Sequence, residues 1–207
     1  MKLARMFLIG SFLCFLIGFI LVTYPVAALG WNLLFPKTSA ELAEQLSKPV
    51  TSSETETLKP QSSFVLPEKD LSLPVEPTIR IPKIGVETKI LEAPLEEFES
   101  ALRVGVWRVP NFGVPVEDGL PVILVAHRFG YLHWSQPYRE QNSFFKLPDL
   151  VEGDRIEIIW DQRKFEYEIY QGEDNTEISH YSADLILYTC RFLDSDIRIF
   201  RYARLVQ

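Results

Sequence analysis

Three residues near the ends of apolar stretches could together carry out nucleophilic chemistry. Cys190 directly follows the strand-like stretch DLILYT at 184–189, and His127 directly follows the apolar residues 121–126. The thiolate is the nucleophilic form of cysteine, and imidazole is its usual proton-transfer partner. Arg198 lies eight residues beyond Cys190, and its guanidinium stays charged while offering several donors to an oxyanion. These residue types suit attack on a carbonyl carbon.

Each of these residues also has an ordinary structural explanation. A lone cysteine at this position is more often a buried packing residue. Isolated histidines are usually structural or exposed, which applies to His127 as well as to His133 and His180. A solvated strand face would account for the arginines of the last predicted strand, Arg198, Arg201 and Arg204. The residue types alone therefore leave catalysis and packing both open.

The elements that must position these residues are predicted to be β-strands. Alternating or continuous apolar patterns predict strands at residues 79–90, 121–126, 155–160, 164–170, 184–189 and 197–206. Asp161-Gln162-Arg163 is the predicted turn of a hairpin, and helical patterns are confined to residues 95–102 and 143–150. At least six short strands in about 130 residues favour a mainly β, closed or nearly closed barrel with short helices. Strands ending in His127 and Cys190 could meet at one mouth of that barrel.

The amino terminus is predicted to cross a membrane once. No charge occurs between Arg5 and Lys37, and residues 7–29 are apolar almost throughout, which is long enough for a hydrocarbon core of about 30 Å. Lys2 and Arg5 place the preceding end in the cytoplasm. A cleaved signal peptide is the alternative, but its apolar core usually spans only about 7–15 residues. Residues 1–36 are therefore interpreted as a cytoplasmic end plus an uncleaved transmembrane signal anchor.

Composition divides the rest of the chain in two. Residues 37–77 hold five prolines, eleven serines and threonines and no glycine, which is typical of an extended spacer. Residues 78–207 form the predicted globular domain. A net charge of −7 argues against nucleic acid as a partner. Two cysteines, Cys14 and Cys190, exclude a disulfide-stapled miniprotein and a four-cysteine zinc module.

Taken together, these features resemble the sortases, which are membrane-anchored cysteine transpeptidases of bacterial cell surfaces. Four blocks between about residues 78 and 206 carry the resemblance: IRIPKIGV at 79–86, VILVAHR at 122–128, residues 144–170, and ILYTC at 186–190 followed by Arg198. The chain departs from the family pattern at Ala126, where glycine is usual before His-Arg, and at Ile186. Neither departure removes a reacting group.

The resemblance implies a sortase-like barrel and a defined reaction. Cys190 would attack a backbone carbonyl in a sorting motif like Leu-Pro-x-Thr-Gly of a secreted protein, giving an acyl thioester. His127 would protonate the leaving amine and then deprotonate an amine from a cell-wall precursor or a pilin lysine. Arg198 would bind the oxyanion, and Thr189 would assist beside the nucleophile. The family needs no cofactor for this exchange; calcium assists some members, but no acidic cluster here is assigned to it.

The resemblance also implies a location and partners. The chain would be a single-pass protein of the cell membrane, with its catalytic domain outside and its amino terminus in the cytoplasm. Its substrates, secreted proteins that are themselves tethered during export, would share that membrane, and confinement raises their effective concentration. Two other functions remain open: a membrane-tethered barrel that binds peptides without catalysis, and a cysteine hydrolase that passes the acyl group to water.

Overall fold

The computed structural model describes Phe15 and residues 65–117, 119–193 and 195–206. The strands, in chain order, are β1 (Thr78–Ile81), β2 (Val86–Glu92), β3 (Val106–Arg108), β4 (Val122–Val125), β5 (Arg155–Trp160), β6 (Arg163–Asn175), β7 (Leu185–Cys190) and β8 (Arg198–Leu205). They close into a barrel in the order β1-β2-β3-β4-β7-β8-β6-β5, and β1 pairs with β5 to complete the ring. This confirms the prediction of a mainly β, closed barrel.

Two of the strand pairs are parallel, and the others are antiparallel. β2 pairs with β3 and β4 pairs with β7 in parallel. The amide-to-carbonyl ladder of the second pair aligns Leu124 with Leu187 and Val125 with Tyr188. Parallel strands end at the same edge of a sheet. The residues that follow β4 and β7 therefore emerge side by side.

The hairpin of β5 and β6 is tighter and longer than the sequence pattern predicts. Asp161 and Gln162 alone form the turn, with φ of 50° and 53°, as in two-residue turns whose twist matches that of the strands. Arg163, predicted to belong to the turn, instead pairs with Trp160. β6 continues to Asn175, five residues beyond the predicted end, because its second half pairs with β8.

Alternation along the strands divides the apolar residues into two clusters. The first fills the barrel interior and draws on all eight strands; Leu124, Leu187 and Ile199 belong to it. The second covers the outer surface of β3, β4, β7 and β8 and includes residues such as Val125 and Tyr188. We call the latter the outer cluster. Each of these strands is thus buried on both faces, which explains the continuous apolar runs of β4 and β7.

Between residues 65 and 206, the described residues form two short α-helices beside the barrel, α1 (Phe98–Leu102) and α2 (Gln136–Asn142). A 3₁₀ turn at Leu95–Glu97 leads into α1, so the predicted helix at 95–102 is confirmed. The predicted helix at 143–150 is wrong, since only a 3₁₀ turn at Leu147–Asp149 forms there. The α-helix lies just before it. Ser135 caps α2 by accepting a hydrogen bond from the Tyr138 amide at 3.3 Å. A capping serine favours a helix that begins directly after residue 135.

The segment before β1 lies against the hairpin turn. The Asp70 amide donates to the Gln162 carbonyl at 2.8 Å, and the Gln162 side chain donates to the carbonyls of Leu71 and Leu73, each at 3.2 Å. No helix within the described ranges has the length and hydropathy that a membrane span requires. Apart from Phe15, the predicted anchor at 7–29 lies outside the described residues.

Candidate active site

The parallel pairing of β4 and β7 brings the two reactive residues together. His127 lies two residues beyond Val125, and Cys190 lies two residues beyond Tyr188, the partner of Val125 in the ladder. They therefore occupy equivalent positions on adjacent strands, although 63 residues separate them in sequence. Period-two alternation directs both side chains outward, toward the outer cluster and α1 rather than into the barrel.

The two side chains line a cleft beside α1, about 380 Å³ including the solvent at its mouth. Phe98 and Leu102 of α1 form one wall, and Trp107 and Val125 of the barrel form another. The polar residues that line it include His127, Thr189, Cys190 and Arg198. The structure thus brings all four sequence-predicted site residues to a single cleft with apolar walls.

Arg198 lies beside Cys190 on the neighbouring strand. The two residues are directly paired in the β7–β8 ladder, and Arg198 is only 3% exposed. Its Nη1 donates to the carbonyl of Ser195 in the loop between the two strands. The guanidinium is held next to the thiol on the side opposite to β4, so that Cys190 lies between a histidine and an arginine.

Thr189 connects the two strand ends. Its hydroxyl donates to the carbonyl of Ala126 at 2.8 Å, and the residue is 1% exposed. This bond joins the residue before His127 to the residue before Cys190. Thr189 therefore fixes the spacing of the two reactive residues through their backbones.

The surroundings of Cys190 act on its thiol in opposite directions. Burial raises the pKa of the Cys190 thiol above its ordinary value, and the Glu99 carboxylate adds to this. Arg198 and Arg128 act to lower the same pKa, without overcoming the burial. The thiol of the unliganded protein is therefore predominantly protonated at neutral pH. Nucleophilic attack requires a base that removes this proton.

Two further groups at the site have no counterpart in the sequence prediction. The Nε2 atom of His127 lies 3.2 Å from the Tyr131 hydroxyl and 3.6 Å from Oε1 of Glu99. The Tyr131 hydroxyl in turn donates to the same Glu99 oxygen. Glu99 is one of three glutamates between residues 96 and 99, and nothing in the spacing distinguishes it. Only the packing of α1 over the strand ends identifies it.

The other candidate histidines and arginines do not line the cleft. His133 stacks on Tyr131, and His180 packs edge-on against Tyr202. Arg201 is buried, and its Nε donates to the Leu150 carbonyl at 2.8 Å, which is a packing role. Arg204 is exposed. Within the described ranges, no group of three or more histidine, cysteine, aspartate or glutamate side chains could hold a metal ion.

Comparisons with known proteins agree on one family. A family model described as Sortase domain matches residues 79–206. Similar solved structures include sortase C1 of Streptococcus agalactiae in complex with MTSET, 21% identical, with a TM-score of 0.53 and coverage of 64% of this chain and 68% of that one. A sortase A lid mutant from Corynebacterium diphtheriae is 19% identical, with a TM-score of 0.53 and coverage of 81% and 91%.

A third solved structure, the sortase D5 transpeptidase of Clostridium perfringens, is 22% identical, with a TM-score of 0.50 and coverage of 64% of this chain and 79% of that one. At these identities the three structures establish a shared fold. No curated protein sequence matches the chain.

Proposed function

The chain belongs to the sortase family, and from this premise we propose that it is a cysteine transpeptidase acting on a sorting motif of secreted proteins. The observation that carries the proposal is the single cleft lined by His127, Cys190 and Arg198. A nucleophile, a proton-transfer group and an oxyanion donor are the three parts that acyl transfer needs.

The first half-reaction forms a thioester. Sγ of Cys190 attacks the scissile carbonyl carbon as the thiol proton passes to His127, and a C–S bond forms. His127 then gives that proton to the leaving nitrogen as the C–N bond breaks, which releases an amine. Because the thiol is predominantly protonated in the free protein, proton removal by His127 belongs to the attack step.

The second half-reaction reverses these roles. An incoming amine attacks the thioester carbon, His127 accepts its proton, and the C–S bond breaks as the new C–N bond forms. The proton returns to sulfur, so the enzyme is regenerated without oxidant or cofactor. Arg198 stabilises the oxyanion of both tetrahedral intermediates, since its charged donors lie beside Cys190. The apolar cleft walls suit the apolar side chains of a Leu-Pro-x-Thr-Gly-like motif.

The proposal extends to the setting of the reaction. Residues 1–36 anchor the chain in the cell membrane with the amino terminus in the cytoplasm, and residues 37–77 hold the catalytic domain outside. The acyl donors are secreted surface proteins, and the acceptors are amines of a cell-wall precursor or a pilin. The apolar segment 7–29 and the Pro/Ser/Thr-rich composition that follows it support this arrangement.

The test is acyl transfer from a library of sorting-motif peptides to an amine, followed by mass spectrometry. We expect an acyl adduct on the peptide that contains Cys190 and an amide product. Cys190→Ala should abolish both, whereas the matched control His180→Ala should retain both, because His180 packs against Tyr202 and does not line the cleft. His127→Ala should lower turnover by about 10²- to 10⁴-fold, the usual contribution of general acid–base catalysis.

The outcomes separate the competing functions. Release of free acid at saturating amine, with no amide, would identify a cysteine hydrolase. Turnover by Cys190→Ala at the unmodified rate would exclude the mechanism. Absence of an adduct with every peptide, together with measurable peptide binding, would favour a non-catalytic binding barrel.

A further inference from the structure

His127 faces a carboxylate that the three-residue mechanism does not use. Glu99 of α1 is 33% exposed at its side chain and His127 is 11% exposed, and His127 Nε2 and Glu99 Oε1 are 3.6 Å apart. Tyr131 lies between them, with its hydroxyl oxygen 3.2 Å from the same Nε2 and its proton donated to Glu99. These three side chains form a chain of contacts that ends on a negative charge.

The donors and acceptors of these three side chains favour one tautomer of His127. A tyrosine hydroxyl has one proton, and in this structure that proton is directed to Glu99. Its oxygen can therefore only accept from His127 Nε2, which must carry hydrogen. In neutral imidazole the other nitrogen, Nδ1, is then the one without a proton. Nδ1 is left to exchange protons with the thiol and with the substrate amine.

The position of Tyr131 is itself fixed by packing. The Tyr131 residue is 4% exposed, and its backbone carbonyl accepts a hydrogen bond from the buried guanidinium of Arg139 at 3.3 Å. Burial and then the Glu99 carboxylate raise the pKa of the Tyr131 hydroxyl, so it remains a donor at neutral pH. Although burial acts in the other direction, His127, Tyr131 and Arg103 lower the pKa of the Glu99 carboxyl, so it remains charged.

We propose that Glu99 and Tyr131 are positioning residues for His127, with Tyr131 selecting the Nε2–H tautomer and Glu99 stabilising the imidazolium that forms during transfer. The proposal rests on the proposed transpeptidase function. The arrangement serves the same purpose as the carboxylate that orients histidine in a nucleophile–histidine–acid triad, but here a tyrosine is interposed.

The charge on Glu99 also acts on the nucleophile. The ionisable groups that face His127 and Cys190 are Glu99, Arg103, Arg128, Tyr131, Tyr188 and Arg198. Of these six, only Glu99 is an acid that is ionised at neutral pH. The Glu99 carboxylate acts to raise the pKa of the Cys190 thiol. Removal of the Glu99 charge should therefore shift the pH dependence that the thiol governs.

The first test is the pH profile of kcat/KM for the full chain and for Glu99→Gln, which keeps an acceptor for Tyr131 and removes only the charge. We expect the limb that the Cys190 thiol governs to move to lower pH by about half a unit, as loss of one charge a few Å away in a water-like dielectric would produce. The matched control is Glu97→Gln, because Glu97 is exposed and lies two residues away. A Glu99→Gln profile that is lower in height but unmoved along the pH axis would overturn the proposal.

The second test needs no turnover. Nitrogen-15 NMR of the full chain, with the His133 and His180 signals assigned by substitution, should find neutral His127 protonated at Nε2. Tyr131→Phe should turn this into a mixture of tautomers and lower kcat/KM by about tenfold or more, the lower range for acid–base groups. Tyr138→Phe is the control, since its exposed hydroxyl donates to the Val104 carbonyl.

The two tests distinguish the two ways of failing. A neutral His127 protonated at Nδ1 would overturn the proposal even in an active enzyme. An inactive chain whose His127 is nevertheless the Nε2–H tautomer, and shifts with Tyr131→Phe, would refute the transpeptidase function while supporting the positioning of His127.

Discussion

At the scale of single residues, the surroundings of Cys190 fit the proposed attack coupled to proton transfer. Burial keeps the thiol protonated, while Arg198 offers positive charge from the adjacent strand. In the proposed mechanism the same guanidinium receives the negative charge that develops on a carbonyl oxygen. Its role depends on shape as well as charge, because a guanidinium presents donors in a rigid planar fork and an ammonium does not.

This difference predicts the effect of a charge-conserving substitution. Arg198→Lys should lower kcat/KM by about 10²-fold, as loss of one oxyanion donor commonly does, with little change in the free energy of unfolding. Arg204→Lys, on the exposed end of the same strand, should retain activity within about twofold. Steady-state transfer kinetics of both variants provide the measurement. Near-normal activity of Arg198→Lys would show that only charge is required at this position.

At the scale of elements, the segment between β4 and α2 carries both His127 and Tyr131 and allows little variation. Gly130 has a φ of +66°, and a Cβ at this position would lie 2.1 Å from the Trp134 ring. The guanidinium of Arg139 donates to the carbonyls of Phe129 at 2.6 Å and of Trp134 at 3.4 Å. The backbone of this segment is therefore held in one conformation by the tight packing at Gly130 and by the hydrogen bonds from Arg139 of α2.

Two glycine substitutions separate backbone strain from lack of space. Gly153 also has a positive φ, of 85°, but a Cβ at this position would have no atom within 4 Å. Gly153→Ala should cost about 1–2 kcal/mol from the left-handed conformation alone. Gly130→Ala should cost about 1–3 kcal/mol more, because the Trp134 ring must move, and should also reduce kcat/KM. Urea unfolding measures both, and equal losses would contradict the packing argument.

At the scale of the whole molecule, β6 connects the two ends of the barrel. Arg163 at its start follows the hairpin turn, and Asn175 at its end pairs with Arg198. A strand of 13 residues spans about 40 Å. The segment before β1 contacts the turn at the far end, through Asp70 and Gln162, and is thus distant from the cleft.

Removal of that segment should affect stability and leave catalysis intact. A chain starting at residue 76 should lose about 1–3 kcal/mol of unfolding free energy relative to one starting at residue 65, since it lacks five hydrogen bonds to the turn and to Arg163 beside it. Its kcat/KM should remain within about twofold. Urea unfolding and transfer kinetics on both chains are the measurements. A large loss of activity would mean that residues 65–75 also act at the site.

Local patterns accounted for most of the barrel but not for all of its elements. The resemblance to the sortases is confirmed by the family match over residues 79–206, and the strands around 121–126, 155–160 and 184–189 form nearly as predicted. β3 was not predicted, because three residues are too few to reveal a period. No α-helix forms at 143–150, where one was predicted; α2 lies before this stretch. Apolar residues of 143–150, among them Phe144 and Leu147, pack into the barrel core instead.

The catalytic roles of His127, Cys190, Arg198 and Thr189 stay predictions, but their shared location is now a structural finding. Local sequence patterns were enough to identify the residue types and the strands that carry them, because side-chain alternation is a local property of a strand.

That His127 and Cys190 are neighbours, and that Glu99 and Tyr131 accompany them, follows from the tertiary structure alone. β4 pairs with β7 across 63 residues of sequence, and α1 packs over both strands. Both arrangements depend on apolar burial summed over the whole chain. A local hydrophobic period does not encode that sum.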